Sequence, residues 1–266
     1  MNNHKENRWA FVTGASSGIG RQLAIQSAKA GYSVIVCARR AEKLNELKNE
    51  LTSEYQVKCH TITTDLGTES EIVRLIDELK SLDVDIDLFF NNAGFGLNGE
   101  FCEMKAENQL NMIDVNCRGV VQLSYFVANL MKTRGSGTIV HTASMGGLSP
   151  TPYYAVYGAT KAFVVSFSLA LSEELKNTSV CVKVLCPGAT ETEFASVSNF
   201  KGADPGSGNL QTSEEVARET MRKISGNPDI IIPGFKNRVA ACIVNLLPRS
   251  WTLKMAATSL APREAA

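Results

Sequence analysis

The sequence lacks an excess of either charge. Lys plus Arg and Asp plus Glu number 27 each, and no dense basic run interrupts the chain. Without a positive stripe there is no field to hold a phosphate backbone, so nucleic-acid binding is not expected. It also lacks any CxxC pair: the seven cysteines run from Cys37 to Cys242 at irregular spacing and in an odd number. With Cys181 and Cys186 inside an apolar run, they are read as small buried hydrophobes in a reducing compartment, and neither a metal site nor a disulfide framework is expected. No leader is expected either. After the polar MNNHKENR the apolar run covers only Trp9 to Val12, too short for a signal-peptide core, and a cytoplasmic location is expected.

What the chain has is length and alternation. Its 266 residues, 44% hydrophobic, suffice to bury a full core. Short β-rich runs (WAFVTG, SVIVCA, VKCHTITTD, DIDLFFNNAG, GTIVHTAS, VCVKVLCPG) alternate with helix-patterned segments. Strands apolar on both faces and separated by helices predict an α/β fold, a doubly wound parallel sheet covered on both sides. No internal repeat is evident. KGADPGSGN at 201–209 reads as a mobile loop, and past Pro228 the alternation stops. The expected organisation is one sheet domain over 1–228 and a short helical C-terminal extension over 229–266.

The first strand runs into TGASSGIG, residues 13–20, and then a helix. At the carboxyl edge of a parallel sheet such glycines let backbone approach a pyrophosphate, and the helix N-terminus offers free N–H donors. Gly14, Ser16, Ser17, Gly18, Ile19 and Gly20 are therefore candidates for a dinucleotide site, although the spacing is Gly-x-x-x-Gly-x-Gly instead of GxGxxG. After the second strand, where an acid would hold a ribose 2′-hydroxyl, stand Ala38, Arg39 and Arg40. A guanidinium pairs with the 2′-phosphate that an acid would repel, so NADP(H) is the expected cofactor. Farther on, Tyr157 has Lys161 four residues downstream, whereas Tyr153 and Tyr154 have no such partner. One helical turn puts the ammonium on the phenol's face, where a cation favours the phenolate.

Together these segments resemble the short-chain dehydrogenase/reductase family in its NADP-preferring form. The resemblance rests on TGASSGIG, Asp65 after the third strand, NNAG at 91–94, VNCRG at 115–119, Ser144 thirteen residues before Tyr157, the Tyr157–Lys161 pair and PGATET at 187–192, in that order. It implies a Rossmann-type hydride-transfer fold with a catalytic Ser144, Tyr157 and Lys161, supported by Asn116. It implies further that Asp65 and Leu66 lie near the adenine, Asn92, Ala93 and Gly94 near the ribose, and Pro187, Gly188, Thr190 and Thr192 near the nicotinamide. Two positions depart from the common pattern. Ala143 stands where many members have a serine, and Ser17 where many NADP-preferring members have Lys or Arg.

Reducing a carbonyl needs a hydride on carbon and a proton on oxygen, and a phenol with an ordinary pKa of about 10 is a poor partner at neutral pH. Lys161 and the nicotinamide cation of the oxidised cofactor are expected to lower that pKa, and Lys161 to hold the nicotinamide ribose. Ser144 would hydrogen-bond the substrate oxygen, and Asn116, by resemblance, would anchor a water that refills the proton. His141, three residues before Ser144, is expected to be structural, and Tyr153 and Tyr154 to line the substrate pocket. The expected activity is hydride transfer between NADP(H) and a ketone or aldehyde or the corresponding alcohol. Alternatives are a membrane-associated lipid or steroid reductase of the same chemistry and a non-catalytic NADP-binding sensor.

Two segments speak to partners. GATKAFVVSFSLALSEEL is apolar nearly all round, which predicts packing against a second subunit in a homodimer or homotetramer. In the tail, the apolar run 239–247, nine residues interrupted by Asn245, falls short of the ~20 a spanning helix needs. Ser250 is expected to cap a second helix with Leu253, Ala256, Ala257 and Leu260 on one face, beside Lys236, Arg238, Arg249, Lys254 and Arg263. A lid docked on protein is favoured over peripheral membrane contact, because alanines interrupt the face and only Trp251 is a strong interfacial anchor.

Overall fold

A computed structural model describes residues 8–194, 210–226 and 229–261. Nine strands are assigned: β1 (Trp9–Thr13), β2 (Ser33–Ala38), β3 (Cys59–Thr63), β4 (Ile86–Asn91), β5 (Gly137–Thr142), β6 (Val180–Leu185), β7 (Thr190–Glu191), β8 (Gln211–Thr212) and β9 (Ile230–Ile231). The helices are α1 (Gly18–Lys29), α2 (Ala41–Glu54), α3 (Glu69–Ser81), α4 (Ala106–Ile113), α5 (Val120–Arg134), α6 (Ala155–Leu175), α7 (Ser213–Lys223), α8 (Phe235–Leu246) and α9 (Arg249–Leu260). Seven strands form one sheet in the order β3-β2-β1-β4-β5-β6-β9, with every neighbouring pair parallel. A small parallel pair, β7 with β8, lies apart from it.

Alternation along β1 explains the two layers. Ala10 and Val12 join one core with Leu23, Ala24 and Ala28 of α1 and Leu44, Leu47 and Leu51 of α2. Trp9 and Phe11 face the other core, with Ile72, Leu75 and Leu79 of α3 and Leu123 and Val127 of α5. A strand covered on both faces must be apolar at every position, as β1 is. Phe11 and Phe89, register partners on β1 and β4, stack at 4.9 Å between ring centres in the second core, where each buried ring contributes about 1.5–3 kcal/mol. The strand order reverses between β1 and β4, and in such a sheet the crevice at the carboxyl ends there is where ligands bind.

The doubly wound parallel sheet is as expected, and the structure adds to it at the end. Ile230–Ile231 pairs with Val184 and Leu185 as a seventh sheet strand, too short to carry any periodicity in the sequence. The expected loop at 201–209 and Pro228 lie outside the described residues. Three of the seven cysteines, Cys102, Cys181 and Cys242, are exposed, a correction to the reading of all seven as buried. For Cys181 the reason is that β6 leaves its second position uncovered. The tail differs too: Pro248, at φ −55°, is the N-cap of α9, so Ser250 sits inside the helix and does not cap it. Thr252 faces inward at 7% exposure while Leu253 is 43% exposed, because packing and not side-chain polarity decided which face docks.

Candidate active site

The carboxyl ends of β1 and β4 form one rigid piece. Gly14 and Gly18 adopt φ of 67° and 54°, which other residues avoid. A Cβ at Gly20 would lie 2.3 Å from the Gly14 carbonyl oxygen and 2.5 Å from Asn92 Nδ2, and one at Gly14 2.8 Å from Ala93 Cα. Thr13 Oγ1 accepts from the backbone N–H groups of Asn92 and Ala93, each at 2.9 Å, and Asn92 Nδ2 donates to the Thr13 carbonyl at 3.0 Å. Thr13 is thus the residue that locks the glycine turn to NNAG. Sequence reasoning passed over it as the first letter of a glycine motif. The helix that follows opens at Ser17 without a side-chain cap and without an acid in its first turn, which leaves its N–H donors for an anion. Ile19 packs on the core beside α1.

Of the two arginines, Arg40 turns to the glycine turn. Its Nη2 donates to Ser17 Oγ at 2.9 Å and Ser16 Oγ at 3.0 Å, and its Nη1 pairs with Glu193 Oε2 at 2.8 Å. The guanidinium therefore lies against the glycine turn, beside Ser17. Its hydrogen bond holds the Glu193 carboxyl below the usual carboxylate range, with Ser17 helping. Arg39 makes no hydrogen bond or ion pair among the described residues. Asp65 Oδ1 accepts from Gly67 N at 2.9 Å, and Leu66 is buried beneath Gly119.

VNCRG forms a π-helical turn, Asp114–Gly119, between α4 and α5. Such a turn re-aims the side chains within a helix and recurs at functional sites. Asn116 in it is fully buried: Nδ2 donates to the Phe95 carbonyl at 2.9 Å and to Thr160 Oγ1 at 3.0 Å, while Oδ1 accepts from Phe95 N at 3.1 Å. Thr160 in turn donates to the Tyr157 carbonyl at 2.7 Å. A Cβ at Gly94 would lie 3.0 Å from Asn116 Oδ1 and 3.1 Å from Lys161 Nζ, so Gly94 is the spacer that brings those two together.

Ser144 follows β5, and its Oγ accepts from Gly146 N at 3.0 Å and hydrogen-bonds the Tyr157 side chain. The Tyr157 ring lies between Tyr154, edge-on at 5.7 Å, and Phe194, tilted at 5.3 Å, and packs flat on Gly96. Lys161 is 4% exposed; its Nζ donates to the Thr142 carbonyl at 2.8 Å and stands 5.8 Å from the Tyr157 ring centre. Burial pulls Lys161 down to about 8 and pushes Tyr157 up to about 12, against the Ser144 hydrogen bond. Loss of hydration is the largest cause for both groups.

The remaining loop closes the crevice from the far side. The Pro187 carbonyl accepts from Met145 N at 2.9 Å, Thr190 Oγ1 donates to the Gly188 carbonyl at 2.9 Å, and the Thr192 methyl group meets Gly18. Gly188 faces Asn237 of α8. Tyr153 turns away from Tyr157 at φ 62°, its carbonyl accepting from Gly99 N at 2.8 Å. His141 is buried between Ser124 and Ser168, as a structural histidine would be. These residues fit a dinucleotide carrying a nicotinamide ribose. The glycine cradle admits backbone and no side chain, Lys161 uses one of three donor hydrogens, and Thr142 Oγ1 beside it is buried without a partner among the described residues.

A family model described as short chain dehydrogenase matches residues 8–201. The chain belongs to the short-chain dehydrogenases. Sulfoacetaldehyde reductase 2 of Chromohalobacter salexigens is 38% identical to it over 189 residues, 70% of this chain and 74% of that protein. A very-long-chain 3-oxoacyl-CoA reductase of Aspergillus oryzae is 33% identical over 185 residues, 66% of this chain and 52% of that protein, so the match spans about half of that relative. Among solved structures, a short-chain dehydrogenase from Sphingobium yanoikuyae in complex with NADPH aligns with a TM-score of 0.81 at 27% identity, covering 97% of this chain and 98% of that one. A 7β-hydroxysteroid dehydrogenase aligns at 0.86 with 24% identity over 96% of this chain and 99% of its own, a likeness of fold. This short-chain dehydrogenase is an oxidoreductase that moves hydride between a nicotinamide cofactor and a carbonyl or alcohol.

Proposed function

We propose that the enzyme reduces a ketone or aldehyde with NADPH, and that Tyr157 supplies the proton. The observation that carries this reading is the Ser144–Tyr157 hydrogen bond in a crevice that also holds Lys161 and Asn116. When bound, the nicotinamide cofactor supplies the hydride to the carbonyl carbon. Arg40, Ser16 and Ser17 would hold its 2′-phosphate and the first turn of α1 its pyrophosphate. Lys161, protonated below a pKa of about 8, would hold the ribose hydroxyls with its spare hydrogens. Ser144 steadies the substrate oxygen as negative charge develops there. Asn116 fixes the Phe95 and Thr160 segments that frame Lys161 and Tyr157.

The exposed groove between α5 and α6, about 210 Å³ and lined by Val121, Tyr125, Phe167 and Leu171, supports a homodimer or homotetramer with this face covered. Free cysteines support a cytoplasmic setting. A long apolar carbonyl is the second reading of the substrate, favoured by the aromatic wall of Tyr154 and Phe194 around Tyr157. The test is Tyr157→Phe assayed by NADPH oxidation on a panel of short and long-chain aldehydes and ketones. Loss of roughly a hundredfold or more is expected with NADPH binding kept, and a variant retaining most of the rate would remove Tyr157 as the acid.

A further inference from the structure

Seven of the fifteen large hydrophobic residues that stand exposed among the described residues belong to α8 and α9. On α8 they are Phe235, Val239, Ile243 and Leu246, a spacing that puts all four on one stripe. On α9, Trp251 and Met255 are one turn apart, at 63% and 61% exposure. The stripe is not an inner face left open. The inner side is already fixed by Ala241, 3% exposed, by Arg238 paired with Glu219 at 2.7 Å, by Asn237 against Gly188, and by Asn98 Nδ2 donating to the Leu260 carbonyl at 3.3 Å.

Charge identifies the occupant. Between positions 235 and 261 there is no acidic residue, and of the basic ones Arg238 is held on the inner side by Glu219 while Arg249 and Lys254 stand exposed on α9, in a chain that is neutral as a whole. A second copy docked face to face would bring Arg249 and Lys254 against their own counterparts with no carboxylate on either segment to pair them. An anionic lipid surface offers the opposite charge and an apolar layer beneath it, the environment that a tryptophan and basic side chains flanking an apolar stripe fit. The twelve residues of α8 reach about 18 Å, short of the ~30 Å hydrocarbon layer, so the helix lies on the bilayer. We propose that the outward faces of α8 and α9 dock on an anionic bilayer, with Trp251 at headgroup depth. The proposal adds a lipid contact on the outward faces to the protein contacts made by the inner ones.

The chain has two tryptophans, Trp9 in the core at 2% exposure and Trp251 outside, so a change in emission on adding vesicles reports Trp251. Full-length protein is mixed with phosphatidylcholine vesicles and with phosphatidylcholine–phosphatidylglycerol vesicles. Expected are salt-sensitive co-sedimentation with the anionic vesicles and a blue shift that Trp251→Phe removes. Ile243→Asp with Leu246→Asp should abolish sedimentation while NADPH binding persists. If that pair misfolds, Arg249→Gln and Lys254→Gln decide, each expected to weaken binding about fivefold. Absence of sedimentation with either vesicle overturns the proposal, as does sedimentation unchanged by these substitutions. A change of mass by light scattering in the Asp variants, without vesicle binding by the wild type, assigns the face to a second copy and overturns it equally.

Discussion

Ser144 Oγ accepts from the Gly146 N–H at 3.0 Å, which fixes the hydroxyl beside the Tyr157 side chain. The serine keeps its hydrogen and a second lone pair for the phenol and the substrate oxygen. Ser144→Ala is expected to lower kcat roughly 100- to 1,000-fold with cofactor affinity kept. Steady-state kinetics with a titrated NADPH dissociation constant checks both halves, and a loss under tenfold would make the serine a turn residue only.

Lys161 is buried with one hydrogen bond, and folding lowers its pKa from 10.5 to about 8. The folded state then binds fewer protons than the unfolded chain across that window, so this group's contribution to stability rises as pH climbs from about 8 to 10.5. At neutral pH the charge is a burden on the fold. Lys161→Met is expected to raise stability by on the order of 1–3 kcal/mol in urea titrations at pH 7 while turnover is lost. A destabilised variant would show that the Thr142 hydrogen bond outweighs the desolvation.

Arg40 and Glu193 pair at 2.8 Å with both side chains about half exposed, across the place proposed for the 2′-phosphate. Arg40→Ala is expected to weaken NADPH binding by about 1.5–3 kcal/mol and NADH binding little. Arg39→Ala should do far less. Glu193→Gln, by freeing Arg40 from an exposed ion pair worth about 0.2–1 kcal/mol, should tighten NADPH up to about fivefold. Calorimetric titration of the three variants with both cofactors separates these outcomes, and equal losses for NADPH and NADH in Arg40→Ala would remove it from phosphate recognition.

The parts of this molecule that were readable in the sequence are those fixed by local chemistry. Glycines at 14 and 20 are demanded by backbone contact and Gly18 by its φ of 54°, and the Tyr157–Lys161 pair follows from one helical turn. What was not readable depends on neighbours distant in sequence. Arg39 and Arg40 are equivalent as letters, and only the direction of the chain entering α2 decides that Arg40 reaches Ser17. The hydration that Tyr157 loses to Phe194, Tyr154 and Gly96 cannot be counted from spacing. Thr13 reads as a strand end until NNAG is folded against it. The outer stripe of α8 was visible as apolar, but which side would be covered was not.

His141 connects the strand before Ser144 to both neighbouring helices: Nε2 is 2.7 Å from Ser124 Oγ and Nδ1 2.9 Å from Ser168 Oγ. Ser168 Oγ also lies 2.6 Å from the Val164 carbonyl, and Ser124 Oγ 2.6 Å from the Val120 carbonyl, so each serine bridges the ring to a carbonyl of its own helix. A neutral ring satisfies this site, and burial pulls its pKa from 6.5 to about 3. The unfolded chain takes up a proton near pH 6.5 that the folded one refuses until about pH 3, so the stability this histidine contributes is present above 6.5 and is lost as pH falls through that window. At pH 5 the loss is about 2 kcal/mol. His141→Leu leaves each serine its own helical carbonyl, and its urea midpoint should therefore fall less than that of the wild type between pH 7.5 and about pH 5. Parallel declines in the two proteins would mean that His141 is not the group refusing the proton.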